Sequence, residues 1–251
     1  DMVIQQREHD LVMGTFGRSF LVLDDIRPLR TLARHGSPPE SLHVYPVIDA
    51  PQVEIAQQPG PIFPGDFLYQ GENREFGARI RYWVPEEADS MEEEADEDEL
   101  GKESEVTIQI LSGSEVVRRL AGPGGPGLHQ IEWGMERAGV RPANREESED
   151  SQNAPEPGGP LLLPSDYTVR VILAADTAQS SVRILPDHRI SFDINTARAA
   201  DRLNTRLLDA QRRTTDVADR IRSARTTITR VGDLLDEWAG EEQEADSLKE
   251  H

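Results

Sequence analysis

Asp24 and Asp25 are the most obvious pair of chemically active side chains in the sequence. Two carboxylates can act as acid and base, or as acid and nucleophile, in glycoside hydrolysis. Neighbouring residues of an extended strand point to opposite faces, so these two cannot act on one substrate. We interpret them instead as turn residues whose side chains accept hydrogen bonds from backbone amides.

No metal, cofactor or catalytic site is predicted from the remaining polar residues. The chain has no cysteine, and its six histidines lack the spacing of a zinc site. His129 alternates with apolar residues and is expected at the edge of a core. The acidic run Asp96–Gly101 begins like an EF-hand loop, but Leu100 and Thr107 occupy positions where calcium ligands are needed. Nucleophile-elbow and phosphate-loop motifs are absent from the sequence.

Two short strands near the start of the chain are the elements that position the carboxylate pair. The sequence predicts strands over Asp10–Thr15 and Ser19–Asp24, with a tight reversal shaped by Gly14, Gly17 and Arg18. Two strands do not form a stable unit alone. We therefore expect the rest of this sheet to come from another part of a larger protein, of which this chain is the C-terminal piece.

The motifs around this reversal carry a family resemblance. Gly14-Thr-Phe-Gly-Arg-Ser19 and Leu23-Asp-Asp-Ile-Arg-Pro-Leu-Arg30, preceded by Asp1–Asp10, resemble the closing blade of sortilin- and xyloglucanase-like β-propeller proteins, the BNR-repeat glycosyl hydrolases. Phe16 replaces a usual histidine and Leu21 a usual tryptophan, both with apolar groups. The resemblance implies a structural blade turn, since the carboxylates of propeller glycosidases lie on other blades.

A β-rich module is predicted over residues 78–190, after a blade remnant at 1–30 and a Pro/Gly-rich connector at 31–77. Its short strands and turn signals indicate a β-sandwich of immunoglobulin type. Two acidic inserts, 86–104 and 146–160, are expected to be mobile loops. The predicted strands are Ala78–Pro85, Glu105–Leu111, Glu115–Leu120, Leu128–Trp133, Asp166–Leu173 and Ala178–Leu185.

The strand motifs of this module resemble the Ig-like module of flagellar hook-capping proteins, which also follows the propeller in the first family. The resemblance implies that Trp133 fills the core and that Tyr167 forms a tyrosine corner at the start of a late strand. Pro164-Ser-Asp166 stands where Pro-Gly-Thr is usual, so the preceding turn is expected to differ in shape.

A long helix is predicted over residues 193–239, before an acidic tail at 240–251. Apolar or small residues recur every three or four positions for more than four heptads. We interpret the helix as one arm of an intramolecular antiparallel hairpin, or its truncated half. A homodimeric coiled coil is the alternative.

The charge composition bears on which partners the protein can bind and on the kind of organism it comes from. A net charge of −20 argues against nucleic-acid binding. Lysine occurs only at Lys102 and Lys249, so nearly all cationic side chains are arginine. An acidic, lysine-poor surface is typical of a salt-adapted organism, where salt screens self-repulsion; acidic loops on an ordinary protein are the alternative. The sequence contains no apolar run long enough to cross a membrane.

These observations predict a mainly β fold with a C-terminal α segment and a non-catalytic, accessory role. The region would close the propeller of the same protein and provide an interaction surface for a protein or glycan. Two alternatives remain: an accessory region of a propeller glycoside hydrolase, or of a sortilin-like ligand-binding receptor. The family resemblance implies an exported bacterial protein, extracellular, periplasmic or at the cell surface.

Overall fold

A computed structural model describes residues 1–17, 20–53, 76–86, 105–144 and 156–247. Over these residues the fold is mainly β, with one long C-terminal helix. No helix among them is both long enough and apolar enough to cross a membrane.

The chain begins with a three-stranded antiparallel sheet, here called the N-terminal sheet. It contains β1 (Met2–Ile4), β2 (Leu11–Gly14) and β3 (Phe20–Leu23), in that order, with β2 in the centre. Two of these strands match the predicted hairpin, and β1 was missed because three residues carry too little pattern to identify a strand.

A helix, α1 (Arg27–His35), follows the N-terminal sheet directly. The first residues of the predicted Pro/Gly-rich connector, 31–35, therefore belong to this helix. Pro28 lies in the first turn, where its missing N–H costs nothing, and Gly36 ends the helix at φ 75°. The Gly36 N–H donates to the carbonyl of Leu32, the usual glycine termination. Proline and glycine here delimit a short helix, although their frequency suggested a connector.

Two sheets contribute side chains to one apolar core and form what we call the two-sheet module. One has the order β5 (Ala50–Pro51), β13 (Asp176–Leu185), β12 (Asp166–Leu173), β7 (Glu105–Ser112), β8 (Glu115–Pro123). The other has the order β4 (His43–Val44), β6 (Ala78–Val84), β9 (Gly127–Trp133). All pairings are antiparallel except the parallel pair of β5 with β13.

Alternation along the strands builds one core between these sheets. In β6 every second side chain is buried, and the side chains between them are half-buried and lie on the other face. The same period places apolar residues of β7, β12 and β13 inward, where they join the β6 residues in one cluster. The largest fully buried members are Ile80, Tyr82, Val84, Val106, Ile108, Ile110, Trp133, Met135, Val169, Val171, Val182 and Ile184.

A small two-stranded ribbon of β10 (Glu136–Ala138) and β11 (Gly158–Leu161) lies beside the module. Its second strand overlaps the predicted insert 146–160, so the end of that insert is structured. Arg118 secures it by donating to the Pro157 carbonyl at 2.6 Å, with its side chain paired to Glu136. Residues 87–104 and 145–155, most of both inserts, lie outside the described residues.

The C-terminal helix α2 (Ile194–Ser247) is 54 residues long and continuous. Its start is capped by Asp193, whose carboxylate accepts hydrogen bonds from the backbone N–H groups of Asn195 and Thr196. At 1.5 Å per residue it spans roughly 80 Å. It extends beyond residue 239 into the predicted acidic tail, and within the described residues it does not turn back as a hairpin.

Candidate functional site

The carboxylates of Asp24 and Asp25 lie where the N-terminal sheet meets the two-sheet module. The chain leaves β3 at Leu23 and turns sharply at Asp25, which has a φ of 43°. Aspartate tolerates this left-handed conformation better than most residues. The turn buries Asp25, and its backbone N–H donates to the Asp10 carboxylate at 2.9 Å.

Arg79 and Arg81 of β6 supply the opposing positive charges. They alternate with the core residues of that strand and therefore emerge on its outer face. The Arg81 guanidinium is 2.7 Å from the Asp25 carboxylate and also donates to the backbone carbonyls of Asp25, at 2.7 Å, and Asp24, at 3.1 Å. Arg79 pairs with the Asp24 carboxylate at 2.8 Å.

Arg27, in the first turn of α1, completes the cluster. Its Nε and Nη2 donate to the two carboxylate oxygens of Asp25 at 2.7 and 3.0 Å, the bidentate geometry that arginine favours. We call the set Asp24, Asp25, Arg27, Arg79 and Arg81 the Asp–Arg clasp. It joins the end of the N-terminal sheet, the helix α1 and the strand β6.

Electrostatics within the clasp keep Asp25 ionised. Burial raises the pKa of the Asp25 carboxyl, but the hydrogen bonds and charge of Arg27, with the charge of Arg81, outweigh burial. The net result is a pKa below the usual 3.8. A buried carboxylate is stable only when paired in this way.

This geometry suits attachment better than catalysis. Both oxygens of Asp25 already accept hydrogen bonds from arginine, so the group is poorly placed to give or take a proton. The predicted capping of backbone amides is present, because Asp25 also accepts from the Arg27 N–H at 3.3 Å. Sequence reasoning missed Arg79 and Arg81; the only available signal was the alternation of arginine with apolar residues in β6.

The residues predicted to shape the β2–β3 reversal are placed as follows. Gly14 ends β2, and its N–H donates to the Asp1 carbonyl at 2.8 Å. Gly17 has a φ of 80°, a conformation that favours glycine. Arg18 lies outside the described residues.

Trp133 and Tyr167 lie together in the core of the two-sheet module, with ring centroids 6.1 Å apart in an edge-to-face arrangement. The Trp133 indole N–H donates to the Glu136 carbonyl at 2.9 Å. The Tyr167 hydroxyl donates to the Leu163 carbonyl at 2.8 Å, four residues upstream. Both polar groups of this aromatic pair are therefore hydrogen-bonded inside the core.

The histidine and carboxylate groups elsewhere show no further site in the described part of the chain. There, no set of three or more His, Asp or Glu side chains is arranged to hold a metal ion. His129 is held by a contact of 2.5 Å between its Nε2 and the Gly125 carbonyl, beside the ring of Tyr82. The acidic run at 96–101 lies outside the described residues.

Comparison with known proteins gives no relative for this chain: no protein-family model, no curated protein and no solved structure matches it.

Proposed function

We propose that this chain is a non-catalytic accessory region of a larger β-propeller protein. It would close the propeller through the N-terminal sheet and connect it to an Ig-like β-sandwich and a long helix. The Asp–Arg clasp is the observation that carries the proposal. Five charged groups at this boundary fix the position of a small sheet on a neighbouring module, which is an attachment role.

The exposed apolar surface of the N-terminal sheet supports the proposal that further structure covers this sheet in the larger protein. Phe20 and Val22 lie on one face of β3 and Leu21 and Leu23 on the other, and all four side chains are exposed. Met2 adds to this surface from β1. Sheets that expose apolar side chains on both faces are normally covered by further structure. Additional strands and neighbouring blades of a propeller would cover both faces and pair the open edges.

Strand order supports the Ig-like assignment. In chain order β4, β6 and β9 correspond to the first, second and fifth strands of an Ig-like sandwich, and share one sheet. The other sheet contains β7, β8, β12 and β13, which correspond to the third, fourth, sixth and seventh strands. Some Ig-like sandwiches have this arrangement, because a fourth strand joins the sheet formed by the third, sixth and seventh strands. The hydrogen bond from Tyr167 to Leu163 has the form of a tyrosine corner.

Composition supports a salt-adapted source as part of this proposal, whereas export from a bacterium rests on the family resemblance alone. The chain carries 47 acidic side chains and only two lysines. A high net negative charge keeps a protein soluble. The repulsion between its acidic side chains, which destabilises the fold, is screened at high salt.

Immunoblotting of source cells tests the proposal directly. An antibody raised against the two-sheet module should detect a protein much larger than 28.0 kDa, the mass of this chain. Hydrogen exchange should then show β1–β3 more protected in that larger protein than in the isolated chain. A native product of 28 kDa, or equal protection in both, would contradict the proposal.

A further inference from the structure

The helix α2 has two opposite faces, and among the residues that the structure describes only one face contacts the rest of the protein. A polar face binds the segment 137–143 through Arg137–Asp201 at 2.6 Å, Arg141–Asp219 at 2.5 Å and a hydrogen bond from Thr215 to the Arg141 carbonyl at 2.8 Å. Thr215 is buried by this contact. The module is thus attached along the helix from residue 201 to residue 222.

The opposite face of α2 carries an apolar seam that no described residue outside the helix covers. At 100° per residue the seam lies roughly opposite the polar face. Every member is exposed, including Ile221 at 52%, Ile228 at 71% and Trp238 at 68%. A seam of five heptads is the pattern of a coiled coil, so a second helix is expected to cover it. The seam consists of Leu203, Leu207, Ala210, Thr214, Val217, Ile221, Ala224, Ile228, Val231, Leu235 and Trp238.

We propose that a second copy of this chain covers the seam, as an antiparallel coiled coil centred near Ile221. The volumes of the seam side chains favour antiparallel over parallel pairing. Pairing antiparallel about Ile221 places Ala210 opposite Val231, Thr214 opposite Ile228, and Ala224 opposite Val217 of the second copy. Every small side chain then meets a larger one. A parallel pair in register would instead stack alanine on alanine and threonine on threonine, leaving weak layers.

The charge distribution along α2 favours the same orientation. Residues 194–230 contain nine arginines and four aspartates, whereas residues 231–247 contain seven acidic residues and no basic one. An antiparallel pair centred near Ile221 brings residues 231–247 of each helix, with their seven acidic residues, beside residues 195–211 of the other, which carry three arginines and two aspartates. A parallel pair in register would instead align the two acidic stretches with each other.

The described contacts of the attached modules lie away from the seam. Each module lies on the outer side of its own helix, along residues 201–222, which faces away from the seam. In the antiparallel pair the two modules would lie at opposite ends and on opposite sides of the coiled coil. This inference does not depend on the Asp–Arg clasp or on a propeller.

Sedimentation of the full 251-residue chain tests whether it associates. We expect a dimer at micromolar concentration. Ile221→Asp should weaken dimerisation roughly 100-fold or more, because it buries an unpaired charge in the seam. Thr226→Asp, an exposed position on the other side of the helix, is the matched control and should leave the dimer unchanged. A monomeric parent chain, or a dimer unaffected by Ile221→Asp, would overturn the inference.

Disulfide cross-linking tests the orientation, since the chain has no native cysteine. The double variant Leu203→Cys with Trp238→Cys should form a covalent dimer on mild oxidation, and Leu203→Cys alone should not. Within one helix these positions are about 50 Å apart, so a disulfide must join two chains. A covalent dimer of Leu203→Cys alone would establish parallel pairing and overturn the proposal.

Discussion

At the scale of single residues, the Asp25 carboxylate depends on its two arginines. Removing ionised groups from water costs several kcal/mol, which the pairing and hydrogen bonds must offset. Asp25 and Arg81 are both largely buried, with side-chain exposures of 8% and 11%. Loss of Arg81 leaves the buried Asp25 carboxylate with Arg27 as its remaining ionic partner, so the clasp should respond to single substitutions.

We expect Arg81→Gln to loosen the N-terminal sheet from the two-sheet module by about 3 kcal/mol, because Asp25 remains buried with only Arg27 beside it. Hydrogen exchange should show faster exchange in β2, β3 and α1, with β12 unchanged. Arg183→Gln, which removes the exposed pair of Arg183 with Asp166, is the matched control and should have no measurable effect. Equal effects of the two variants would contradict an attachment role for the clasp.

The lowered pKa of Asp25 predicts an acid-sensitive attachment. A group whose pKa is lower folded than unfolded stabilises the fold fully above its unfolded pKa, near 3.8, and this contribution is lost as pH falls through the folded pKa. Protection of the N-terminal sheet should therefore decline below pH 4. Exchange measured from pH 6 to pH 2 checks this. In Asp25→Asn, the N-terminal sheet should be less protected from exchange than in the parent chain at every pH. The part of the decline below pH 4 that comes from protonation of Asp25 should be absent.

The Tyr167 hydroxyl should stabilise the core through its bond to the Leu163 carbonyl. Tyr167→Phe is expected to cost about 1–2 kcal/mol, because it leaves a backbone acceptor without its partner. Tyr45 is the matched control: it is also buried, but its hydroxyl has no hydrogen-bond partner within the described residues. Urea unfolding of both variants provides the comparison. Equal losses for Tyr167→Phe and Tyr45→Phe would show that the Leu163 bond contributes nothing.

At the scale of elements, β8 can approach β6 closely because Gly122 has no side chain. A Cβ on Gly122 would lie 2.5 Å from the Tyr82 hydroxyl and 3.2 Å from an Ile131 methyl group. The Tyr82 hydroxyl is held in this position by its hydrogen bond to the Pro123 carbonyl, at 2.7 Å. The two sheets therefore meet at a point where one added methyl group has no space.

Gly122→Ala is expected to destabilise the module by roughly 1–3 kcal/mol through overpacking. Gly125→Ala is the matched control, because a Cβ there meets nothing within 4 Å. It should be neutral or slightly stabilising, since alanine restricts the unfolded chain. Chemical denaturation of both variants measures the difference, and an unchanged midpoint for Gly122→Ala would show that the interface can relax.

The elements also show what a single sequence can predict. The six long strands and the helix α2 follow from alternation and heptad spacing, which are local patterns. The strands β1, β4, β5, β10 and β11 have two to four residues each and form because a neighbouring strand pairs with them. The strands β2 and β3 are also four residues long, but their apolar runs and the glycines between them indicated a hairpin. In the same way the sequence shows Asp24, Asp25 and the nearby Arg27, but Arg79 and Arg81 lie more than fifty residues away and only the tertiary fold brings them to the two aspartates.

At the scale of the whole molecule, the net charge of −20 should make stability dependent on salt. Like charges repel in the compact state, and salt screens this repulsion. The screening length falls to about 3 Å at 1 M, so most of the gain should be complete by that concentration. The clasp is largely buried and should be screened much less, which leaves the surface repulsion as the salt-sensitive contribution.

We therefore expect the thermal midpoint of the chain to rise between 0.05 and 1 M NaCl and then to level off. Sucrose at matched osmolality is the control, because it favours the folded state through exclusion from the surface without screening charge. A continued rise above 1 M, matched by sucrose, would point to solvent exclusion as the cause. A falling midpoint would mean that attractive ion pairs outweigh the net repulsion, and salt adaptation would then have no support from the charge of this chain.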